Sequence, residues 1–131
     1  MIKINNILIN SFHCTNLILI IFYLYPGSIF GYIIYNNQSI TPQITRDFFI
    51  SSNHFYTFIF LSILGVLAYR NTRKINFLIY YLISLSVILE FFHTIIPNRA
   101  FEFADLFGNL IGVIVGVITS VVINKIIKTY E

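Results

Sequence analysis

The sequence predicts an all-α, polytopic membrane protein, a bundle of four transmembrane helices in one domain spanning residues 1–131. Three observations predict it. Of the 131 residues, 57% are hydrophobic and only 10% are charged, whereas a water-facing domain carries about a quarter of its residues charged. The mean hydropathy is +0.82, and the apolar residues fall into four stretches of roughly membrane-crossing length divided by short polar breaks. In lipid every backbone N–H and C=O needs a partner within the protein, so these stretches must be helical. A soluble enzyme domain and a disordered segment are excluded. So is a disulfide scaffold, because the single cysteine, Cys14, has no partner in the chain.

The first span is predicted over about residues 7–25 and ends at Pro26-Gly27, a turn pair. Ser11-Phe12-His13 place bulky residues where a lipoprotein signal needs small ones, and no small-residue cleavage site follows, so this stretch is expected to remain as a membrane helix. His13 and Cys14 within it are expected to be packing residues. Ile29–Tyr35 is apolar again, and Asn36–Ser52 reads as a loop with Pro42 and Arg46-Asp47. The second span is predicted over 54–69, stopping at Arg70-Asn71-Thr72-Arg73-Lys74. The third covers 75–96 and closes at Pro97-Asn98-Arg99. The fourth covers 106–127.

The basic residues indicate orientation. Lys3, Arg70, Arg73, Lys74, Lys125 and Lys128 share one side of a four-span chain, and only Arg46 and Arg99 fall on the other. Positive-inside statistics therefore put both termini in the cytoplasm. The net charge of +3 serves orientation rather than nucleic-acid binding, because the basic residues lie between spans and not on one polar face.

Of the five acidic residues, Asp47, Glu90, Glu102 and Asp105 are expected on the outer side, with Glu131 at the C-terminus. Glu90 lies six residues before Ile96, about 9 Å inside the predicted end of its helix. An unpaired charge in a span costs roughly 2.5–3.5 kcal/mol, so Glu90 should face the bundle interior. His93, three residues on, shares its face. Asp105 is placed as N-cap of the fourth span, and Asn109 follows it one turn later. His54 opens the second span at the same depth. Glu90, His93, Arg99, Asp105, Asn109 and His54 are thus expected to converge on one polar site. Structural roles stand beside the functional ones: a Glu90–Arg99 ion pair closing the hairpin, Asp105 as a cap, and Asn109 as an interhelical hydrogen bond. Gly108, Gly112 and Gly116 recur every four residues, a strip along which another helix can approach closely, expected to be one of the same chain.

The run Glu90-x2-His93-x3-Pro97-x-Arg99-x5-Asp105-x3-Asn109-x2-Gly112 resembles the signature of the VanZ-like family of small membrane proteins, and His54-Phe55 resembles that family's earlier histidine–aromatic pair. His93 stands where the family usually has glutamine, and Ile50-Ser51 where it usually has aspartate-lysine. The resemblance implies a multi-pass protein of the bacterial cytoplasmic (inner) membrane with a cell-envelope role, in a family named for resistance to the glycopeptide teicoplanin. On that footing, the expected function is binding a lipid or glycolipid precursor headgroup, with Arg99 on a phosphate, Asn109 and His54 adding hydrogen bonds, and Glu90 orienting Arg99. Two other functions compete. One is a structural subunit of an envelope complex, with a protein partner. The other is an acid–base or metal-assisted transferase or hydrolase with Glu90 or His93 as general base. No serine, cysteine or threonine sits in a recognisable nucleophile motif, so an enzyme is the less favoured reading. His54, His93, Glu90 and Asp105 are residue types that zinc accepts, yet the family's usual glutamine at the His93 position speaks against a metal. No metal or cofactor is expected.

Overall fold

The computed structural model describes residues 2–130, with side chains over 5–129, so the Lys3 side chain and Glu131 lie outside the described residues. Among them there are five helices and no strands: α1 (Ile2–Leu24), α2 (Ile29–Tyr35), α3 (Ser52–Tyr69), α4 (Ile75–Phe92) and α5 (Phe103–Tyr130). All but α2 are long and apolar enough to cross a bilayer, over Asn5–Leu24, Ser52–Tyr69, Ile75–Phe92 and Phe103–Thr129. Their outer surfaces are apolar, with Ile7, Leu17, Ile21, Phe77, Tyr80, Ile88, Ile114 and Ile118 exposed, as a lipid-facing surface requires. This is an integral membrane architecture.

Inside the bundle, α3 packs most closely on α5, and both α3 and α4 touch the other three long helices. Phe12 and Leu19 of α1, Phe58 and Leu61 of α3, Leu78, Leu82 and Leu89 of α4 and Val113 of α5 form the buried core. Gly108, Gly112 and Gly116 lie against α3. A Cβ at Gly112 would stand 2.6 Å from the Phe55 carbonyl oxygen, and one at Gly116 would stand 2.8 Å from that of Ile59. Glycine is what lets these two backbones meet.

Several boundaries differ from the sequence expectation. The third span stops at Phe92 rather than Ile96. Pro97 disfavours helical backbone at the residue before it and has no N–H to continue the ladder. The chain instead closes in tight turns, with the His93 and Thr94 amides donating to the Glu90 and Phe91 carbonyls at 3.1 Å each. Glu90 therefore sits in the last turn of its helix, not about 9 Å inside it. The fourth span starts earlier than predicted, because the Asp105 and Leu106 amides both reach the Glu102 carbonyl at 3.1 Å. Asp105 is thus an acidic residue within the first turn of α5 and not its N-cap. Cys14 is exposed rather than packed, and the exposed His13 bonds to the Tyr69 hydroxyl at 2.8 Å.

The apolar stretch after Pro26-Gly27 is too short to cross and forms α2. Ser28 caps it by accepting from the Gly31 amide, and Asn36 ends it in the left-handed region. The segment after α2 folds back on it so tightly that a Cβ at Gly31 would overlap the Ile40 carbonyl. Loop 36–51 then reaches α3, whose first amide, Ser52, donates to the Asp47 carboxylate at 2.7 Å. An anion at a helix N-terminus is favourable.

Candidate functional site

Alternating helix directions bring the C-terminal ends of α1 and α4 and the N-terminal ends of α3 and α5 to one end of the bundle. A hydrogen bond from the Ser51 amide to the Ala104 carbonyl, 3.1 Å, ties the starts of α3 and α5 together. His54 in the first turn of α3, Glu90 in the last turn of α4, His93 just beyond it, and Asp105 and Asn109 in the first two turns of α5 converge there.

Glu90, His93 and Asn109 are 0%, 2% and 0% exposed, so their polar atoms must find partners inside the protein. Asn109 is the hub. Its Oδ1 accepts from the Tyr23 hydroxyl at 2.8 Å and lies 3.0 Å from Nδ1 of His54, while its Nδ2 donates to the Ser86 carbonyl at 3.1 Å. One amide thereby links all four membrane-crossing helices. His54 also approaches both acids, with Nε2 3.4 Å from Oδ2 of Asp105 and Nδ1 3.9 Å from Oε2 of Glu90. Glu90 Oε1 accepts from the Glu102 amide at 3.0 Å. Its Oε2 lies 3.2 Å from Nδ1 of His93, yet it is buried without a hydrogen bond. His93 donates from Nε2 to the Tyr23 carbonyl at 3.1 Å.

The expected Glu90–Arg99 ion pair does not form. Arg99 instead turns to the end of α1, donating from Nη2 to the Phe22 carbonyl at 3.1 Å and from Nε to the Tyr25 carbonyl at 3.3 Å. The last carbonyls of a helix have no intrahelical donors and carry negative partial charge, so a cation there is stabilising. Burial shifts the Arg99 guanidinium down from its ordinary value, and the nearby Asp105 and Glu90 oppose that shift. Arginine stays protonated in proteins. Because Glu90 does not touch it, Glu90 cannot be what orients Arg99; the α1 carbonyls do that.

His54, His93, Arg99 and Asp105 border a cavity of about 390 Å³ whose lining also includes Asp47 and Glu102, with Phe22, Tyr23 and Phe30 on the α1–α2 side. Tyr23 and Asp47 are among the lining residues that were not predicted. Tyr23 stacks on His93 at 5.8 Å and meets His54 edge-on at 5.0 Å. Its signal was the spacing of Phe12, Leu19 and Tyr23, seven and four residues apart, which marks the buried stripe of α1. Asp47 reads as a loop residue, and only the folded loop puts it at the start of α3.

Fold and site together define a class: a multi-pass helical membrane protein with a buried histidine–carboxylate–amide cluster under a cavity at one end of its bundle. Set against known proteins, the chain matches no family model, no curated protein and no solved structure.

Proposed function

We propose that this is a cell-envelope protein of the bacterial cytoplasmic membrane that binds the headgroup of an envelope lipid or glycolipid precursor from the outer leaflet. The cavity is the observation that carries the reading. It is of small-molecule size and lies where the membrane-crossing helices end. Donors (Arg99, Asn53, Gln43) and acceptors (Asp47, Glu102, Asp105) mix in its lining with Phe22 and Phe30. A few placed polar groups on an apolar frame suit an amphiphile's headgroup. Arg99 is held by the α1 carbonyls with further N–H groups left to meet a phosphate. Beside Asp47, the loop exposes Ile44, Phe48 and Phe49, an apolar rim suited to dip into the headgroup layer and admit a ligand from the bilayer.

The side of the membrane is part of the proposal. Arg70, Arg73, Lys74, Lys125 and Lys128 lie at the end of the bundle away from the cavity, which supports an outward-facing cavity and cytoplasmic termini. The VanZ-like resemblance supports the envelope role and a link to teicoplanin tolerance.

The test is mass-spectrometric profiling of lipids that co-purify with the wild-type protein and with Arg99→Ala, against the bulk membrane. The expected result is one headgroup class enriched about tenfold on the wild type, equivalent to about 1.4 kcal/mol, and lost in the variant. A wild-type profile equal to bulk and unmoved by Arg99→Ala overturns the reading.

A further inference from the structure

We infer that His54, Glu90 and Asp105 form a binding site for a divalent first-row metal ion, zinc in the first place, independently of the headgroup reading. Each residue offers one ligand atom, and the three atoms lie within 4.8 Å of one another. Donors about 2.0–2.2 Å from a tetrahedral zinc stand about 3.3–3.6 Å apart. The 3.4 Å between His54 Nε2 and Asp105 Oδ2 already has that spacing.

His93 Nε2 faces a carbonyl oxygen, so it must carry the proton, and in the neutral ring the lone pair falls on Nδ1. That lone pair looks toward Glu90 Oε2, 3.2 Å away. Asn109 has committed its Nδ2 to the Ser86 carbonyl, so the atom facing His54 Nδ1 is an acceptor and Nδ1 must donate. The lone pair of His54 then falls on Nε2, beside the Asp105 carboxylate. In these tautomers each imidazole turns its second ring nitrogen toward a carboxylate oxygen, and Glu90 Oε2 is fully buried with no hydrogen bond. An unsatisfied buried carboxylate oxygen is costly, and a cation held between these atoms satisfies them together.

The surrounding bonds are those a metal site needs. A ligating histidine normally donates its other ring N–H to a fixed acceptor, and Asn109 Oδ1 is one, held in place by Ser86. Glu90 Oε1 accepts from the Glu102 amide, and Oε2 has no hydrogen bond. One imidazole and two carboxylates suit zinc, and three protein ligands leave a coordination position open. His54 and Asp105 line the cavity, so that position can be reached from it. His93 Nδ1, 3.2 Å from Glu90 Oε2, is a further donor beside the site.

The experiment measures metal per chain by plasma mass spectrometry on detergent-purified protein, then titrates the stripped protein with Co²⁺ and follows its d–d absorption. The expected wild-type result is about one ion per chain and cobalt bands that saturate at about one equivalent. Glu90→Gln and Asp105→Asn should fall below about one tenth of an ion per chain while keeping their helical circular dichroism. The exposed-residue controls His13→Ala and Cys14→Ser should retain the metal. If the site variants fail to insert, the wild-type cobalt titration decides alone. A wild type without metal and without saturable cobalt bands overturns the site and leaves a shared proton between His93 and Glu90 as the filling. Metal lost equally in His13→Ala overturns it as well. Lipid enrichment does not enter either readout, so this site and the headgroup reading can fail separately.

Discussion

Asn109 and Arg99 each bond several groups from other helices, and their substitutions should separate the network's parts. Asn109→Leu leaves the Tyr23 hydroxyl and His54 Nδ1 without their shared acceptor and takes the second donor from the Ser86 carbonyl. Interhelical hydrogen bonds in membranes average about 0.6 kcal/mol each, and an orphaned buried group costs about 1–3 kcal/mol. Asn109→Leu should therefore lose about 2–4 kcal/mol in reversible detergent unfolding, whereas Tyr23→Phe, which removes one donor, should lose about 1 kcal/mol or less. Equal losses would contradict the hub. For Arg99→Lys the charge survives but the fork does not, since an ammonium cannot hold two carbonyls with the geometry of a planar guanidinium. Its expected loss is about 0.5–1.5 kcal/mol in the same unfolding measurement. At this scale the chain reveals which residues matter better than what they touch. Glu90, His93, Asp105, Asn109 and His54 are legible as polar residues out of place near the ends of spans. The partner of Arg99 was not, because it is a backbone carbonyl about 75 residues away in the chain, and carbonyls have no sequence signature.

Between elements, the contact of α5 on α3 sets how near the acids come to His54. Gly112→Ala would put a Cβ 2.6 Å from the Phe55 carbonyl oxygen and 2.9 Å from the Phe58 Cβ, so the helices must separate. Overpacking of this kind typically costs about 1–3 kcal/mol, and the same unfolding measurement should show it. Ile118→Ala, on the exposed face of the same helix, should stay within about 0.5 kcal/mol. The four-residue glycine spacing was plain in the chain, because a helix aligns residues four apart whatever it packs against. Helix ends were less legible. Hydropathy continues through Thr94-Ile95-Ile96 as if α4 went on, and the stop comes from Pro97 and local turns. Similarly, α5 begins at Phe103 because the Glu102 carbonyl accepts its first amides, a backbone event that the side-chain signal of Asp105 as a cap did not report.

For the whole molecule, four crossings place the loop after α2 and the turn after α3 on opposite membrane faces. Gln43→Cys and Asn71→Cys, each in a Cys14→Ser background, should therefore label differently with a membrane-impermeant maleimide. Gln43→Cys is expected to react in intact cells and Asn71→Cys only after permeabilisation, following the positive-inside asymmetry. Labelling from the same side would break the four-span topology. The class of protein, the number of crossings and the end of the bundle that carries the polar residues were all determined along the chain. They depend on sums over local segments: apolar length against bilayer thickness, and basic residues counted by loop. The tertiary structure alone decided the pairings. Glu90 meets two histidines rather than Arg99, Arg99 closes the end of α1, Tyr23 joins the site, and Glu90 Oε2 is left without a donor. Those outcomes depend on the rotation of each helix about its axis and on the path of loop 36–51. Both are set by packing between segments far apart in the chain.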